Sequence, residues 1–352
     1  MKSRHNTSSF LTVEDFFQFT VTRKIAEGGM GTVYEAQQVG AEGFEKTVAI
    51  KTMLSKLTKK QFSQLFIDEA KLVANLVHEN IVQIYQLGRT PAGYYIVMEY
   101  VNGISLANFI SYHRILKIPI PETLAVFITS RIARGLAYAH KRRDTQGNPL
   151  DIVHRDVCPN NILITTEGLP KLADFGVAKV AKRALLGDGL IVGKLLYMAP
   201  EQAQKKHVDY RGDIFSLGAV LFELLTCRTI RDATKNTTLA HAHKLVLQDI
   251  PWDLLPESVS DDVGGILRKM LALEPKDRYQ DTDTLAHALE YYIYRDGYGP
   301  TIQTLEQYLR EHFGYLYVTH NSKDGKSIKD STTVIPPPQF VKHPAATDLE
   351  LP

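Results

Sequence analysis

Between residues 153 and 176 the chain reads VHRDVCPNNILITTEGLPKLADFG, and three side chains in it could share one task. Asn161 stands five residues after Asp156, and Asp174 follows thirteen later. The apolar run Ile162 to Ile164 and a turn at Glu167–Gly168 reverse the chain, which brings Asp174 back to face the other two. Two carboxylates and an amide so placed suit phosphoryl transfer. That chemistry needs divalent metal on the phosphates and a carboxylate on the attacking hydroxyl. Isolated Asp and Asn residues more often cap turns. Further motifs, in the right order along the chain, set this group apart.

Lys51 ends the apolar strand Val48-Ala49-Ile50, where an ammonium is costly unless paired. Upstream, residues 25–34 read IAEGGMGTVY between two strand-like runs. Glycines there let backbone amides close over phosphates without a Cβ in the way. Alone, such a hairpin is more often a plain turn; Lys51 raises its standing.

The elements that must hold these residues fall into two kinds. Short β-type runs cover Phe19–Ile25, Gly31–Gln37, Thr47–Met53, Ile81–Leu87 and Tyr94–Tyr100. One helix, Lys60–Leu76, is expected among them, with Phe62, Leu65, Phe66, Ala70 and Val73 at helical spacing. After Asn102–Gly103 the pattern is helical: Ser105–His113, Pro121–His140, Asp213–Leu225, Thr238–Leu247, Asp261–Ala272 and Asp281–Tyr292. Thr301–His312 reads as a further amphipathic helix that packs on the larger part. Beyond Val318, Ser, Thr, Pro and charge predominate, with Pro336-Pro337-Pro338, and disorder is expected. The reading is an α+β chain. A flexible arm covers 1–17, a sheet-rich lobe 18–101, a helical lobe 102–293, a helical extension 294–317 and a tail 318–352.

His154-Arg155-Asp156 with Asn161, followed by Asp174-Phe175-Gly176, resembles the catalytic loop and metal-binding motif of protein kinases, H-R-D-x-x-x-x-N and D-F-G. The resemblance spans about residues 18–293 and implies the bilobal kinase fold, ATP, and Mg²⁺ or Mn²⁺. It gives Asp156 the acceptor hydroxyl and its proton, and Asn161 and Asp174 the metal. Lys51 would hold the α- and β-phosphates, fixed by Glu69; Asp68 is turned about 100° away on the helix. Gly28, Gly31 and Val33 match the second and third glycines and the valine of the phosphate loop, while Ala26 stands where the first glycine belongs. Met98 would close the back of the adenine pocket, with the backbone of Glu99-Tyr100-Val101 as hinge. Val33, Ala49 and Leu163 would sandwich the ring, and Val73, Ile84, His154 and Phe175 would stack across the lobes. Glu201 and Arg278 resemble the buried ion pair that anchors the acceptor-binding segment, and Asp213 would brace the catalytic loop. Ala199-Pro200-Glu201 favours a protein acceptor. GGMGTVYEA and YMAPEQ are most similar to bacterial kinases of the eukaryotic-like Ser/Thr type, which implies Ser/Thr transfer.

Two departures matter. Ser/Thr kinases place a lysine two residues after the catalytic aspartate; here that residue is Cys158, and tyrosine kinases' arginine is replaced by Asn160. A threonine expected after Gly193 is Lys194, so Lys194 is expected to fill the space over Cys158 and neutralise the transferring phosphate. Cys158 reads first as a space-filler and second as an oxidation-sensitive thiol; Cys227 reads as core. The second departure is that no Ser, Thr or Tyr lies between Gly176 and Tyr197. Activity without loop phosphorylation is expected, with Asp188 as a standing anion for Arg155. Ser105 and Asn160 occupy positions where arginine-directed kinases carry acids, so no basic consensus is expected.

Composition sets the bounds. Net charge is +2, with 41 basic and 39 acidic residues, so no basic field points to nucleic acid. Two cysteines, no leader-like apolar run and no membrane-length segment lead to a cytoplasmic expectation. A sensory or regulatory protein partner would then carry any outside signal. The rival readings are a pseudokinase scaffold and, more weakly, a small-molecule phosphotransferase.

Overall fold

The computed structural model describes residues 18–27, 31–53, 60–90, 93–175, 195–204, 206–232 and 244–318. Five antiparallel strands form the first layer: β1 (Gln18–Glu27), β2 (Gly31–Val39), β3 (Glu45–Met53), β4 (Ile84–Thr90) and β5 (Gly93–Glu99). Their order is β1-β2-β3-β5-β4. Residues that pair across strands share a face. Val33 therefore lies beside Lys51 and Ile96, and Ala49 beside Met98. The opposite face gathers Ala36, Val48, Ile50 and Val97 into a small apolar cluster with Phe19 and Tyr95. Helix α1 (Lys60–Val73) packs on the Lys51 face, where Ala70 meets Ile96.

The larger lobe opens with β6 (Gly103–Ser105) and α2 (Leu106–Leu116), followed by α3 (Glu122–His140). Ser105 caps α2 by accepting the Asn108 N–H. Strands β7 (Ile162–Thr165) and β8 (Pro170–Leu172) complete a small sheet with β6. Then come α4 (Pro200–Ala203), α5 (Arg211–Thr226), α6 (Asp261–Met270), α7 (Thr282–Tyr294) and α8 (Ile302–His312). Helix α5 is buried without a break from Gly212 to Leu225, so it is the axis of the lobe. Among the described residues, no helix is long and apolar enough to cross a membrane.

The sequence reading placed most elements within a few residues. Ile81 was expected to open a strand of the first sheet, but it bridges in parallel to Leu172 of β8, and β4 begins at Ile84. Two backbone hydrogen bonds, Val82 N–H to Leu172 O and Leu172 N–H to Asn80 O, tie this segment to the other lobe. Strand β6 was not foreseen. It is three residues long and depends on Gly103, where a Cβ would stand 1.9 Å from the Ile164 oxygen. The expected arm at 1–17, the tail beyond 318 and residues 238–243 of the expected helix Thr238–Leu247 lie outside the described residues.

Helix α8 is built into the lobe. Leu305, Leu309 and Phe313 belong to its main apolar cluster, and the Phe313 ring stacks on Phe109 at 5.3 Å. The Tyr317 hydroxyl donates to the Thr166 carbonyl at 2.7 Å. Gly168, at φ 83°, lets the β7–β8 turn meet the start of α8; a Cβ there would stand 2.2 Å from the Ile302 oxygen.

His113 lies fully buried between α2 and α8, with Phe109, Tyr308 and Phe313 around it. Its Nδ1 lies 3.2 Å from the Ile118 carbonyl, and its Nε2 has no hydrogen-bond partner among the described residues. Burial pushes the imidazole down to about 4 from 6.5. The ring is neutral in the fold, whereas the unfolded chain takes the proton first as pH falls. Its contribution is therefore full above pH 6.5 and is lost as pH drops toward about 4. Urea midpoints at pH 7 and pH 5 should fall more steeply for the wild type than for His113→Gln; equal slopes would remove His113 from the account.

Candidate active site

The catalytic-loop residues hang from one carboxylate. Asp213, fully buried in the first turn of α5, accepts the His154 N–H on Oδ2 and the Arg155 N–H on Oδ1, each at 2.7 Å. His140, at the end of α3, adds a contact from Nε2 to Asp213 Oδ2 at 2.9 Å, while its Nδ1 meets the Thr282 hydroxyl. A buried carboxylate is tolerable only with its acceptor sites filled, and here both oxygens are used. Arg155 takes a left-handed φ of 62°, a strained conformation that these bonds hold in place. The Asp156 N–H donates to His154 Nδ1, so the His154 proton sits on Nε2 and points to the Ala173 carbonyl at 3.0 Å.

The three residues singled out by spacing do converge. Asn161 Nδ2 donates to the Asp156 carbonyl and to Asp156 Oδ2, both at 2.8 Å. The Ala173 N–H donates to the Asn161 carbonyl, which brings Asp174 alongside. Asp174, also left-handed at φ 60°, pairs through Oδ1 with Lys51 Nζ at 2.7 Å. Lys51 is 6% exposed, so its charge is met by that carboxylate inside the cleft. Glu69 lies on α1, but its side chain is outside the described residues, as are Gly28, Asp188 and Lys194.

The wall residues take the places their strands dictate. Ala26 pairs with Val33 across β1 and β2, and Gly31 begins β2. Ala49 is buried, while Val33, Met98, Val101 and Leu163 are half-buried. Val73 and Phe175 lie in the main apolar cluster with Ile84 packed against it, and the His154 and Phe175 rings stand 4.6 Å apart. Cys158 is half-buried against the same cluster, consistent with space-filling. Cys227, expected as core, is half-buried and closes α5 at a left-handed φ of 53°.

The acceptor side is anchored twice. Arg278 uses all five of its donors. Two go to Glu201, one to each carboxylate oxygen at 2.8 Å, and three to the carbonyls of Ala272, Arg211 and Leu273. The second anchor, Arg231, was missed in the sequence. It is 5% exposed and donates to the carbonyls of Leu195, Met198 and Val246. Burial lowers it to about 10. No local motif announces it, because its partners are carbonyls of distant loops. Also unforeseen is the pairing of Glu99 with Lys171 at 2.9 Å, which joins the hinge end of β5 to β8. Tyr197 donates to Glu223 Oε2 at 2.5 Å, and burial, then that carboxylate, raises its hydroxyl well above 10.

A lysine and two carboxylates in a cleft between a small sheet and a helical lobe define a phosphotransferase-like site, and the chain belongs to the protein kinase domain family, whose model matches residues 19–289. Tyrosine-protein kinase MasK of Myxococcus xanthus is 39% identical over 317 residues, 88% of this chain and 48% of that protein. Serine/threonine-protein kinase PknA of Corynebacterium glutamicum is 35% identical over 272 residues, 75% of this chain and 54% of PknA. The chain thus spans about half the length of these relatives. Among solved structures, the PknI kinase domain of Mycobacterium tuberculosis superposes with a TM-score of 0.58 at 25% identity, over 77% of this chain and 94% of that one.

Asp213→Asn should remove one acceptor from the catalytic loop and lower stability by about 3 kcal/mol. Amide exchange at His154 and Arg155 should quicken with it; unchanged exchange at both would show that the carboxylate does not hold the loop.

Proposed function

We propose that this chain transfers the γ-phosphate of ATP to Ser or Thr hydroxyls of protein acceptors. The observation that carries the reading is the convergence of Asp156, Asn161 and Asp174 on one cleft, with Lys51 paired to Asp174. In this reading Asp156, steadied by the Asn161 amide, orients the acceptor hydroxyl and takes its proton. Lys51 positions the α- and β-phosphates, and Glu69 supports it from α1. The donor set fits Mg²⁺ or Mn²⁺. Asn161 commits its NH₂ to Asp156, which leaves Oδ1 as a hard oxygen, and Asp174 adds a carboxylate; such ions favour few protein oxygens plus phosphate. When bound, the ion would neutralise charge on the transferring phosphate. Ala26, Gly28, Gly31 and Val33 would cover the phosphates. Ala49, Leu163 and Met98, with the Glu99 and Val101 backbone, would enclose the base; the Glu99 carboxylate itself is committed to Lys171.

Lys194 is proposed to supply the cation that Cys158 cannot. We further place the chain in a reducing, cytoplasmic setting under a sensory or regulatory protein partner, active without loop phosphorylation. The lobes are taken as 18–101 and 102–293 with a bound extension 294–317. A second reading, tyrosine transfer, draws on the name of MasK.

Labelled γ-phosphate from ATP with Mg²⁺ should appear on a generic protein acceptor as phosphoserine or phosphothreonine, and should vanish in Asp156→Ala. Phosphotyrosine would favour the second reading, and no label despite ATP binding would favour a scaffold. Lys194→Ala should slow turnover about a hundredfold; wild-type turnover would end the replacement idea.

A further inference from the structure

Strand β1 is the edge of the first sheet, with β2 as its neighbour. Its register slips twice, between Val21 and Arg23 and again between Lys24 and Ala26, so two irregularities bracket Arg23. Bulges at a sheet edge re-aim side chains. Arg23 Nε meets Glu35 Oε2, directly across on β2, at 2.7 Å, as an ion pair off the line of a hydrogen bond. Arg23 Nη2 donates to the Tyr100 hydroxyl at 3.0 Å.

Tyr100 lies just beyond β5, 77 residues along the chain from Arg23. In the order β1-β2-β3-β5-β4, β1 and β5 are three strand spacings apart, about 14 Å. Backbone pairing cannot join them across that gap; two long side chains do. The contact lies on the face of the sheet that carries the cleft residues, since Glu35 pairs with Ala49 and Ala49 with Met98. On the other face, near the start of β1, the Phe19 ring meets Tyr95 at 6.2 Å. Arg23 is therefore the tie nearer to Ala26. Burial, then the Glu35 carboxylate, raises the Tyr100 hydroxyl above its usual 10, so at neutral pH it keeps its proton beside the guanidinium.

We infer that Arg23, Glu35 and Tyr100 form a latch that sets the height of the β1–β2 roof over the nucleotide, which makes them positioning residues for ATP. The inference rests on the phosphotransfer reading, in which Ala26, Gly31 and Val33 cover the phosphates and the backbone on either side of Tyr100 meets the base. Most of β1 is exposed, and an element with so few buried contacts opens at low cost. Tied to Tyr100, the phosphate cover and the base site move as one piece, so less ordering is left for the nucleotide to supply. The latch sits on the nucleotide side of the cleft. It therefore acts on ATP affinity rather than on turnover.

The test compares Tyr100→Phe, which removes only the hydroxyl, with Arg23→Gln and with the double variant, all in the full chain. Thr22→Val is the control: Thr22 Oγ1 donates to the Glu35 carbonyl at 3.1 Å, a β1–β2 contact that does not reach Tyr100. Binding of a fluorescent ADP analogue with Mg²⁺ is titrated, and KM for ATP and kcat are read from label transfer. Each single variant should weaken the analogue and raise KM about fivefold, with kcat within about twofold of the wild type. The double variant should bind no worse than Arg23→Gln alone, because both changes break one contact. Thr22→Val should bind as the wild type does. The inference is overturned by unchanged affinity in both singles, by additive losses in the double, by an equal loss in Thr22→Val, or by a fall confined to kcat. A wild type that binds the analogue but transfers no label sinks the phosphotransfer reading and leaves the affinities to judge the latch; one that binds no analogue overturns both.

Discussion

A single buried carboxylate holds the chemistry in place. Asp213 takes two successive backbone N–H groups of the catalytic loop and an imidazole nitrogen, and it does so from a helix buried without a break from Gly212 to Leu225. Placing that charge on α5 ties a strained loop to the part of the fold least able to move. The left-handed backbone of Arg155 persists because the neighbouring peptide groups have no better partner. His140 extends the same bond line to the start of α7 through Thr282, so three helices share in fixing Asp156.

From that anchor, polar contacts cross between the lobes in a short series. Lys51 meets Asp174, Glu99 meets Lys171, and the segment at 80–82 pairs with β8. Each joins a residue of the five-stranded sheet, or the link before it, to the β7–β8 hairpin or the residues just beyond. The hairpin is thus a meeting point for the catalytic loop, the hinge end of β5 and the first sheet. Half-buried ion pairs of this kind add little stability by themselves, but they fix relative position where a few tenths of an ångström matter to the chemistry.

What could be read from the sequence was what is local. Asp156, Asn161 and Asp174 announced themselves by spacing, and the turn at Glu167–Gly168 gave the reason they meet. Helices α3 and α5 were legible from apolar spacing and Lys51 from its costly place at the end of an apolar strand, while Val33 and Ala49 entered only through the resemblance to the kinase motifs. Arg231 was not legible, because carbonyls leave no signature in side-chain chemistry. Strand β6 escaped because three residues with one glycine carry no period, and its pairing depends on Ile164, far along the chain. Ile81 was assigned to the wrong sheet for a related reason: an apolar residue at the end of a run fits either lobe, and only long-range pairing with Leu172 decides.

The docking of α8 carries a consequence for how the chain is made. Phe109, near the start of the helical lobe, is covered by Phe313, and the β7–β8 turn is closed by Tyr317. While the chain grows from its N-terminus, that aromatic face has nothing to close on until residues beyond 300 have left the ribosome. The family match ends at residue 289, so the last apolar seal of the lobe is made by residues outside the family's own pattern. A nascent chain stalled short of α8 would hold its catalytic motifs complete while still showing water a surface suited to a chaperone.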